Sequence, residues 1–456
     1  MSIISHIPLC QKKKIHHLAN NTHAVDFLAL LSHDELALTI ENNLPNNHRE
    51  RIYTPTKTLS MFLAQTLNED RSCSKAVNDM LIQTQSVNNT SANTAAYCKA
   101  RKRLSLPLLT QLVNKTGELI RRTVPQQWRW FGRSVSLIDG TSLTMPDTKS
   151  SQTEFPQQGA QKAGLGFPIC RLLAVSCLHT GVILNAAVGP FKGKGSDEQS
   201  LLRQVLDTFQ TGSIVVGDAF FGTYFLLVEM IKRGVDVLFE QHGARKRITD
   251  FCKGMTLGKK DHLIDIPKSK IKPDWMTQEA YEDTPDKITI RELKVGQKTI
   301  ITTMLSATDY PKKALAALYQ KRWHVEVDFR NIKTTLGMNI LSCKTPAMCR
   351  KEIWTYFLAN NLIRLFMSQA AFNYDLLPRQ LSFKHAVQVW ITYALLDKVI
   401  DEHMLALLAK RQVGKRAGRI EPRAVKRRPK AYPLLMIPRA EARQAVMKNG
   451  HPKKVK

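Results

Sequence analysis

One stretch of the chain has the residue types and the spacing of a phosphate and metal site. In Tyr319-Gln-Lys-Arg322-Trp-His-Val-Glu326-Val-Asp-Phe-Arg-Asn-Ile-Lys333, a helix advancing about 100° per residue sets Tyr319, Arg322, Glu326 and Lys333 within an arc of roughly 60°. Leu318, Phe329, Ile332 and Leu336 form the adjacent stripe, so the polar row flanks a buried face. Asp328 points roughly opposite to Tyr319, and this geometry selects Glu326 over Asp328 as the metal ligand. Arginine can grip a phosphate bidentately, and lysine adds a point charge. A salt-bridged amphipathic helix would present the same row.

Phosphodiester chemistry on DNA without a protein nucleophile uses two divalent cations about 3.5–4 Å apart, one at the attacking oxygen and one at the leaving oxygen. Mg²⁺ prefers carboxylate oxygen, keeps several waters and takes one or two side-chain carboxylates. Three acids from separate elements would suffice. Strand ends suit two of them, because a sheet fixes their direction while its edge leaves room for substrate. Asp139, in Ile-Asp139-Gly140, and Asp218, in Gly217-Asp218-Ala219, each close an apolar run beside a glycine. A strand-terminating turn or a helix N-cap explains either one alone equally well.

The elements that must position these acids can be read from periodicity. Residues 1–130 read as a helical N-terminal domain, with apolar residues at three- and four-residue spacing over 23–44 and 59–83 and prolines 45 and 55 between them. A short helix over 94–104 carries Lys99, Arg101, Lys102 and Arg103, as a DNA-contacting or a merely solvated face would. From about 131 the texture becomes β. Strands are expected over 134–140, 171–178 and 182–188, the last two joined by a hairpin at His179-Thr-Gly181. Ser196-Asp-Glu-Gln199 has capping-box spacing and opens a helix. A strand over 213–218, a helix over 224–233 and a strand over 235–240 follow. The expected class is α/β, a mixed five-stranded sheet covered by helices, formed by 131–242 and 306–375. Residues 243–305, with three prolines and two β-like runs, read as a β-rich insertion. Helical periodicity resumes over 311–337 and again from about 349. Residues 376–456 form a C-terminal helical region and a basic tail that includes Arg427 and Arg428.

Composition bounds the partner. The 456 residues hold 67 Lys and Arg against 38 Asp and Glu, a formal net charge of +29. A soluble enzyme of small metabolites has no need of that imbalance, whereas a polyanion neutralises it, so nucleic acid is the first expectation and an anionic membrane surface the second. At 43% hydrophobic residues the chain can build a core. Its eight cysteines include no C-x-x-C pair, which argues against a zinc module and a disulfide framework. The start of the chain shows no signal-peptide pattern. The most apolar segment, 353–367, is interrupted by Asn360, Asn361 and Arg364, so no membrane span is expected. A reducing cytosol is the expected compartment.

With these residues in view, the sequence resembles the insertion-sequence-four family of DDE transposases. Tyr319, Arg322, Glu326 and Lys333 match the family's Y-(2)-R-(3)-E-(6)-K signature, Leu137-Ile-Asp139-Gly140-Thr141 resembles its first acid motif, and Gly217-Asp218-Ala-Phe-Phe221 its second. The resemblance covers roughly residues 60–445. It implies an RNase H-like core in which Asp139, Asp218 and Glu326 hold two Mg²⁺ ions, with Mn²⁺ expected to substitute. The 108-residue separation of Asp218 and Glu326 fits the β-rich insertion such transposases carry. The implied reaction is hydrolysis at each transposon end, attack of the freed 3′-hydroxyl on the opposite strand to give a hairpin, reopening, and joining to target DNA. Tyr319, Arg322 and Lys333 would hold phosphates near the cleaved end. The implied substrates are double-stranded transposon ends and target DNA. Residues 1–130 would recognise terminal inverted repeats, and a homodimer would bridge two ends in a synaptic complex in the bacterial cytosol.

Other residues are weaker candidates. Hairpin formation calls for a flipped base stacked on an aromatic ring, for which Trp275 in Lys272-Pro-Asp-Trp-Met276 is the candidate, a hydrophobic anchor for the insertion being the alternative. Trp323 reads as core. Lys192 and Lys194, in the glycine-rich loop 189–195, would touch phosphate or simply be solvated. Two other functions fit the same residues: a non-cleaving DNA-binding descendant, and an RNase H-fold nuclease without strand transfer.

Overall fold

The computed structural model describes residues 52–84, 91–243, 249–395, 401–414 and 435–452, together with Thr39 and Asn43. The helix expected over 23–44 and the basic tail with Arg427 and Arg428 lie outside the described residues, apart from Thr39 and Asn43.

Among the described residues, the helices α1 (Pro55–Leu67), α2 (Cys73–Gln83), α3 (Ala95–Arg103) and α4 (Leu106–Arg122) precede the sheet. The single helix expected over 59–83 is two. The polar run Asn68-Glu-Asp-Arg-Ser72 turns the chain, with Asn68 Oδ1 accepting from the Asp70 amide and Asp70 Oδ1 from the Ser72 amide. Side chains of this kind offer the backbone a local alternative to the helix. Ser72 then caps α2 by accepting from the Lys75 amide at 3.0 Å, and Ser105 caps α4.

The strands follow as β1 (Val135–Thr144), β2 (Ile169–Cys177), β3 (Ile183–Pro190), β4 (Ile214–Gly217) and β5 (Asp236–Glu240). Between them lie α5 (Lys149–Glu154), α6 (Glu198–Arg203) and α7 (Tyr224–Lys232). The hairpin of β2 and β3 is present, β1 runs antiparallel to β2, and β1, β4 and β5 are parallel. The cap of α6 is Asp197 rather than Ser196.

The sheet departs from expectation in size. Residues 243–305 supply β6 (Met255–Gly258), β7 (Asp261–Pro267), the short α8 (Gln278–Glu282), β8 (Lys287–Val295) and β9 (Lys298–Thr302). They extend the same sheet, in the order β3-β2-β1-β4-β5-β9-β8-β7-β6, so nine described strands replace the expected five. The physical cause is the open edge of β5, whose backbone groups need partners; β9 pairs with it antiparallel, Glu240 opposite Ile300.

Beyond the sheet come α9 (Lys312–Gln320), α10 (His324–Arg330), α11 (Pro346–Asn373), α12 (Phe383–Leu395), α13 (Glu402–Ala409) and α14 (Arg439–Asn449). The helix expected over 311–337 is one path with two irregularities, a 3₁₀ turn at Lys321–Trp323 and a π turn at Asn331–Thr335. The two err in opposite directions from 3.6 residues per turn, which lets the polar row survive.

Helices cover both faces. On one, Leu112 and Val113 of α4, Leu315 and Leu318 of α9, Phe329 of α10 and Phe357 of α11 pack with Leu137 and Val216. On the other, Leu201 and Leu202 of α6 and Leu227 and Met230 of α7 pack with Ile138 and Val215. The polar residues that interrupt α11 bond inside the protein: the Asn361 amide donates to Ile183 O and its carbonyl accepts from Ile183 N, clasping β3. No helix among the described residues is long and apolar enough to cross a membrane.

The α4–β3 contact depends on one missing side chain. A Cβ on Gly117 would stand 2.4 Å from Ile183 O. Gly117→Ala is therefore expected to destabilise the protein by about 1–3 kcal/mol through overpacking, measured by denaturant unfolding. An unchanged midpoint would show that α4 can lift off β3 freely.

Candidate active site

The first two acids are brought together by strand register. Leu137 pairs with Val216 across the parallel β1–β4 ladder. Continued two residues, the same register sets Asp139 beside Asp218, the residue just past the end of β4, with neighbouring strands about 4.8 Å apart. Side chains alternate along a strand, so Asp139 and Asp218 share the face of Leu137 and Val216. That face belongs to the layer of α9, α10 and α11. Asp218 follows the carboxyl end of β4, where open α/β sheets bind ligands, whereas Asp139 stands within β1, which does not end at Gly140 as expected but runs on to Thr144 against β2.

Glu326 rises from that layer. Arg322, one turn before it, donates from Nη2 to Glu326 Oε1 at 2.9 Å and from Nη1 toward Asp139 Oδ2 at 3.4 Å. One guanidinium thus links the helix acid to the strand acid. Asp328 is turned the other way, as its spacing indicates. It is buried and accepts from Arg364 Nη2 at 2.8 Å and from Arg379 at 2.9 Å. This clamp joins α10 to α11 and the segment beyond.

The rest of the row spreads across β1 and β5. Lys333 Nζ donates to Thr141 Oγ1 at 3.1 Å and to Ser142 O at 3.0 Å, further along β1 from Asp139; burial holds its ammonium below the ordinary lysine range. Tyr319 is buried, with its hydroxyl 3.4 Å from Glu240 Oε2. Burial first, and then the Glu240 charge, push its hydroxyl well above the usual tyrosine range.

Two acids escape the motif reading. Glu240, at the end of β5, binds Lys298 Nζ at 2.7 Å as well as facing Tyr319. Glu198, at the start of α6, lies against Gly140: a Cβ there would be 2.1 Å from the Glu198 carboxyl carbon. Within Ser196-Asp-Glu-Gln199 it reads only as part of a helix start. The available signal was the glycine that follows Asp139.

Charge at this end of the sheet is unbalanced. Among the described residues Asp218 and Glu198 have no ion pair, and Arg322 serves both Asp139 and Glu326. Burial raises the Asp139 carboxyl to about 6 against the pull of the Gly140 amide and Arg322, with Asp218 and Glu326 adding to the rise. Burial, then Asp139 and Asp218, raise Glu198 to about 7. Among the described residues no three His, Cys, Asp or Glu side chains are gathered closely enough to hold a metal ion as they stand; the Arg322 guanidinium occupies the gap between two of them. The donor set, all carboxylate oxygen with too little positive charge, suits a hard divalent cation.

This imbalance has a pH signature in protein freed of divalent ions. A carboxyl that binds its proton more tightly folded than unfolded stabilises the fold below its unfolded value, about pH 4 for Asp. That contribution is lost as pH rises through the folded value, about 6 for Asp139. The melting temperature of the wild type relative to Asp139→Asn is therefore expected to fall between about pH 4 and 6. A difference that is flat or rises with pH would contradict the buried charge.

The weaker candidates divide. Arg101, expected on the exposed face of its helix, is only 7% exposed. It donates to Cys73 Sγ at 3.0 Å and lies over the Phe62 and Tyr97 rings, so it holds the helical region together and cannot reach DNA in this arrangement. Lys99, Lys102 and Arg103 are exposed. Lys192 and Lys194 are exposed, and Lys194 pairs with Asp274 at 2.9 Å, which brings the 189–195 loop beside Trp275. Trp275 is 43% exposed with the Arg203 guanidinium 4.3 Å from its ring centre. Trp323, read as core, is instead 61% exposed, because the 3₁₀ turn swings it off the apolar stripe.

The sequence pattern of the family described as transposase DDE domain matches residues 130–362, about half the chain, a range that takes in Asp139, Asp218, Glu326 and Lys333. Over 360 residues the chain is 27% identical to the transposase InsG for insertion sequence element IS4 of Escherichia coli (strain K12), covering 74% of this chain and 78% of that one. Among solved structures it is similar to the piggyBac transposase synaptic complex with hairpin DNA seen by cryo-electron microscopy, at 8% identity, 87% coverage of each chain and a TM-score of 0.41, a likeness too loose to build on.

Proposed function

Because the chain belongs to the transposase DDE-domain family, among the insertion-sequence-four transposases, we propose that Asp139, Asp218 and Glu326 are its catalytic acids. It is a DNA transposase. In our reading it binds the terminal inverted repeats of its element, cuts both ends through hairpin intermediates and joins the 3′ ends to target DNA. The observation that supports this reading is the link from Asp139 to the helix glutamate through Arg322, with Asp218 set beside Asp139 by the β1–β4 register.

The acids would hold two divalent cations, Mg²⁺ with Mn²⁺ as a substitute, which supply an activated attacking oxygen and a stabilised leaving oxygen. The chain's own residues set the rest. Arg322 neutralises Asp139 and Glu326 while no DNA is bound. A phosphate entering the site offers its guanidinium a bidentate anion, which draws it from the carboxylates and opens the space between them. Lys333, fixed by Thr141 and Ser142 of β1, sets a second positive charge further along that strand from Asp139 for the scissile or adjoining phosphate. Tyr319, the third residue of the phosphate-holding set, starts the row with its hydroxyl toward Glu240. Trp275, beside the 189–195 loop with Lys192 and Lys194, is suited to receive the flipped base of a hairpin.

We further read residues 131–242 and 306–375 as an RNase H-like core, 243–305 as its insertion, 1–130 as the end-recognition region with Lys99, Lys102 and Arg103 toward DNA, and 376–456 as a region for pairing and non-specific DNA contact. Two protomers would bridge the ends in the host cytosol.

The test is incubation with DNA carrying the element's ends and flanks in Mg²⁺, resolved on a denaturing gel. Nicks at the 3′ ends and hairpins are expected. Binding without any cut in Mg²⁺ or Mn²⁺ would favour a DNA-binding protein that does not cleave. Cutting without joining of a precut end to a target plasmid would reduce it to a nuclease.

A further inference from the structure

We propose that Glu198 is a fourth oxygen donor at the same cation site, delivered to Asp139 and Asp218 from the opposite layer of the sheet. The inference rests on the role proposed above for Asp139, Asp218 and Glu326.

Glu198 opens α6, on the face of the sheet away from α10. Three contacts fix where it stands. Asp197 caps the helix, accepting from the Ser200 amide at 3.0 Å. Gln199 Nε2 donates to Phe220 O at 2.6 Å, and Gln199 Oε1 accepts from Thr223 Oγ1 at 3.0 Å, which ties the helix start to the turn after Asp218. On its other side the Glu198 carboxyl lies where a Gly140 side chain would be, with Oε1 2.2 Å and the carboxyl carbon 2.1 Å from an ideal Cβ.

Gly140 is informative because its backbone does not require glycine; its φ lies outside the left-handed region. What excludes a side chain there is the carboxylate. Asp139 points to one face of β1 and Gly140 to the other, and the β1–β4 ladder stops at Leu137 and Val216, so the missing side chain leaves room for an acid from the far layer at the side of β1 that β4 no longer covers, next to Asp139. Glu198 makes no hydrogen bond or ion pair among the described residues. A half-buried carboxylate near two others, with Arg171 as its one favourable charge and no hydrogen bond, is stabilised as the anion by a cation among them.

The experiment uses the full-length protein stripped with chelator. Mn²⁺ is titrated with and without a short end-DNA duplex, free ion being read by electron paramagnetic resonance and melting temperature followed in parallel. Glu198→Gln is expected to lose about tenfold or more in Mn²⁺ affinity, to melt higher than the wild type without metal, and to gain less from saturating Mn²⁺. Gly140→Ala, whose methyl displaces the carboxylate while leaving the acid in the chain, is expected to lose affinity likewise. Wild-type Mn²⁺ affinity in both variants, with Glu326→Gln weakened alongside, overturns the role of Glu198 and leaves the triad standing. A wild type that binds no Mn²⁺ even with end DNA overturns the triad and Glu198 together.

Discussion

Glu326→Gln is expected to slow end cleavage by on the order of 10³-fold or more, the scale on which charge-stabilising groups act at a transition state, with affinity for end DNA essentially unchanged. Glutamine keeps the shape and the reach of the side chain and removes its charge. The contact that is weakened in the free protein is the pair with Arg322, one helical turn away and partly exposed on the Glu326 side. Pairs of this kind contribute roughly 0–1 kcal/mol, so the fold survives and the loss belongs to chemistry. A gel assay for cleavage beside a mobility-shift titration separates the two. Cutting near the wild-type rate would remove Glu326 from the set of ligands.

Asp328, two residues along the same helix, is expected to do the reverse. Its carboxylate is the shared anion of Arg364 at 2.8 Å and Arg379 at 2.9 Å, and Asp328 and Arg364 are almost wholly buried. Asp328→Ala leaves two guanidinium groups without their anion and is expected to cost about 3–5 kcal/mol, read as a lowered denaturant midpoint. A loss under about 1 kcal/mol would mean that water or another acceptor already serves these arginines. The two substitutions together distinguish the acid that faces the strand ends from the acid that anchors the helix.

That distinction is legible in the sequence. Spacing alone turns Asp328 away from the row of Tyr319, Arg322, Glu326 and Lys333, and the row holds through a 3₁₀ turn and a π turn because their departures offset. The local breaks are not legible at that level: Trp323 leaves the apolar stripe within the 3₁₀ turn and becomes exposed. The end of β4 before Asp218 follows from an apolar run meeting glycine, but the same reading fails at Asp139, where β1 runs on to Thr144 against β2; the adjacency of the two acids is a property of parallel register, which no local pattern encodes. For the same reason the sheet reads as five strands. The strands of 243–305 are visible in the sequence, but their pairing onto β5 is a long-range choice made by an unsatisfied edge. Arg101 misleads because a basic helix face and a buried arginine stacked on Phe62 and Tyr97 have the same spelling. Glu198 hides inside a helix start, and the residue that reveals it is the glycine 58 positions earlier.

The most direct measurement is the anomalous diffraction of Mn²⁺ in crystals of the protein bound to end DNA. Manganese peaks about 2.0–2.2 Å from carboxylate oxygens, with Asp139, Asp218 and Glu326 all contributing and Arg322 withdrawn onto a phosphate, are the result this account predicts. Peaks bound elsewhere, with Arg322 still lodged between Asp139 and Glu326 in the cleaving complex, would contradict it.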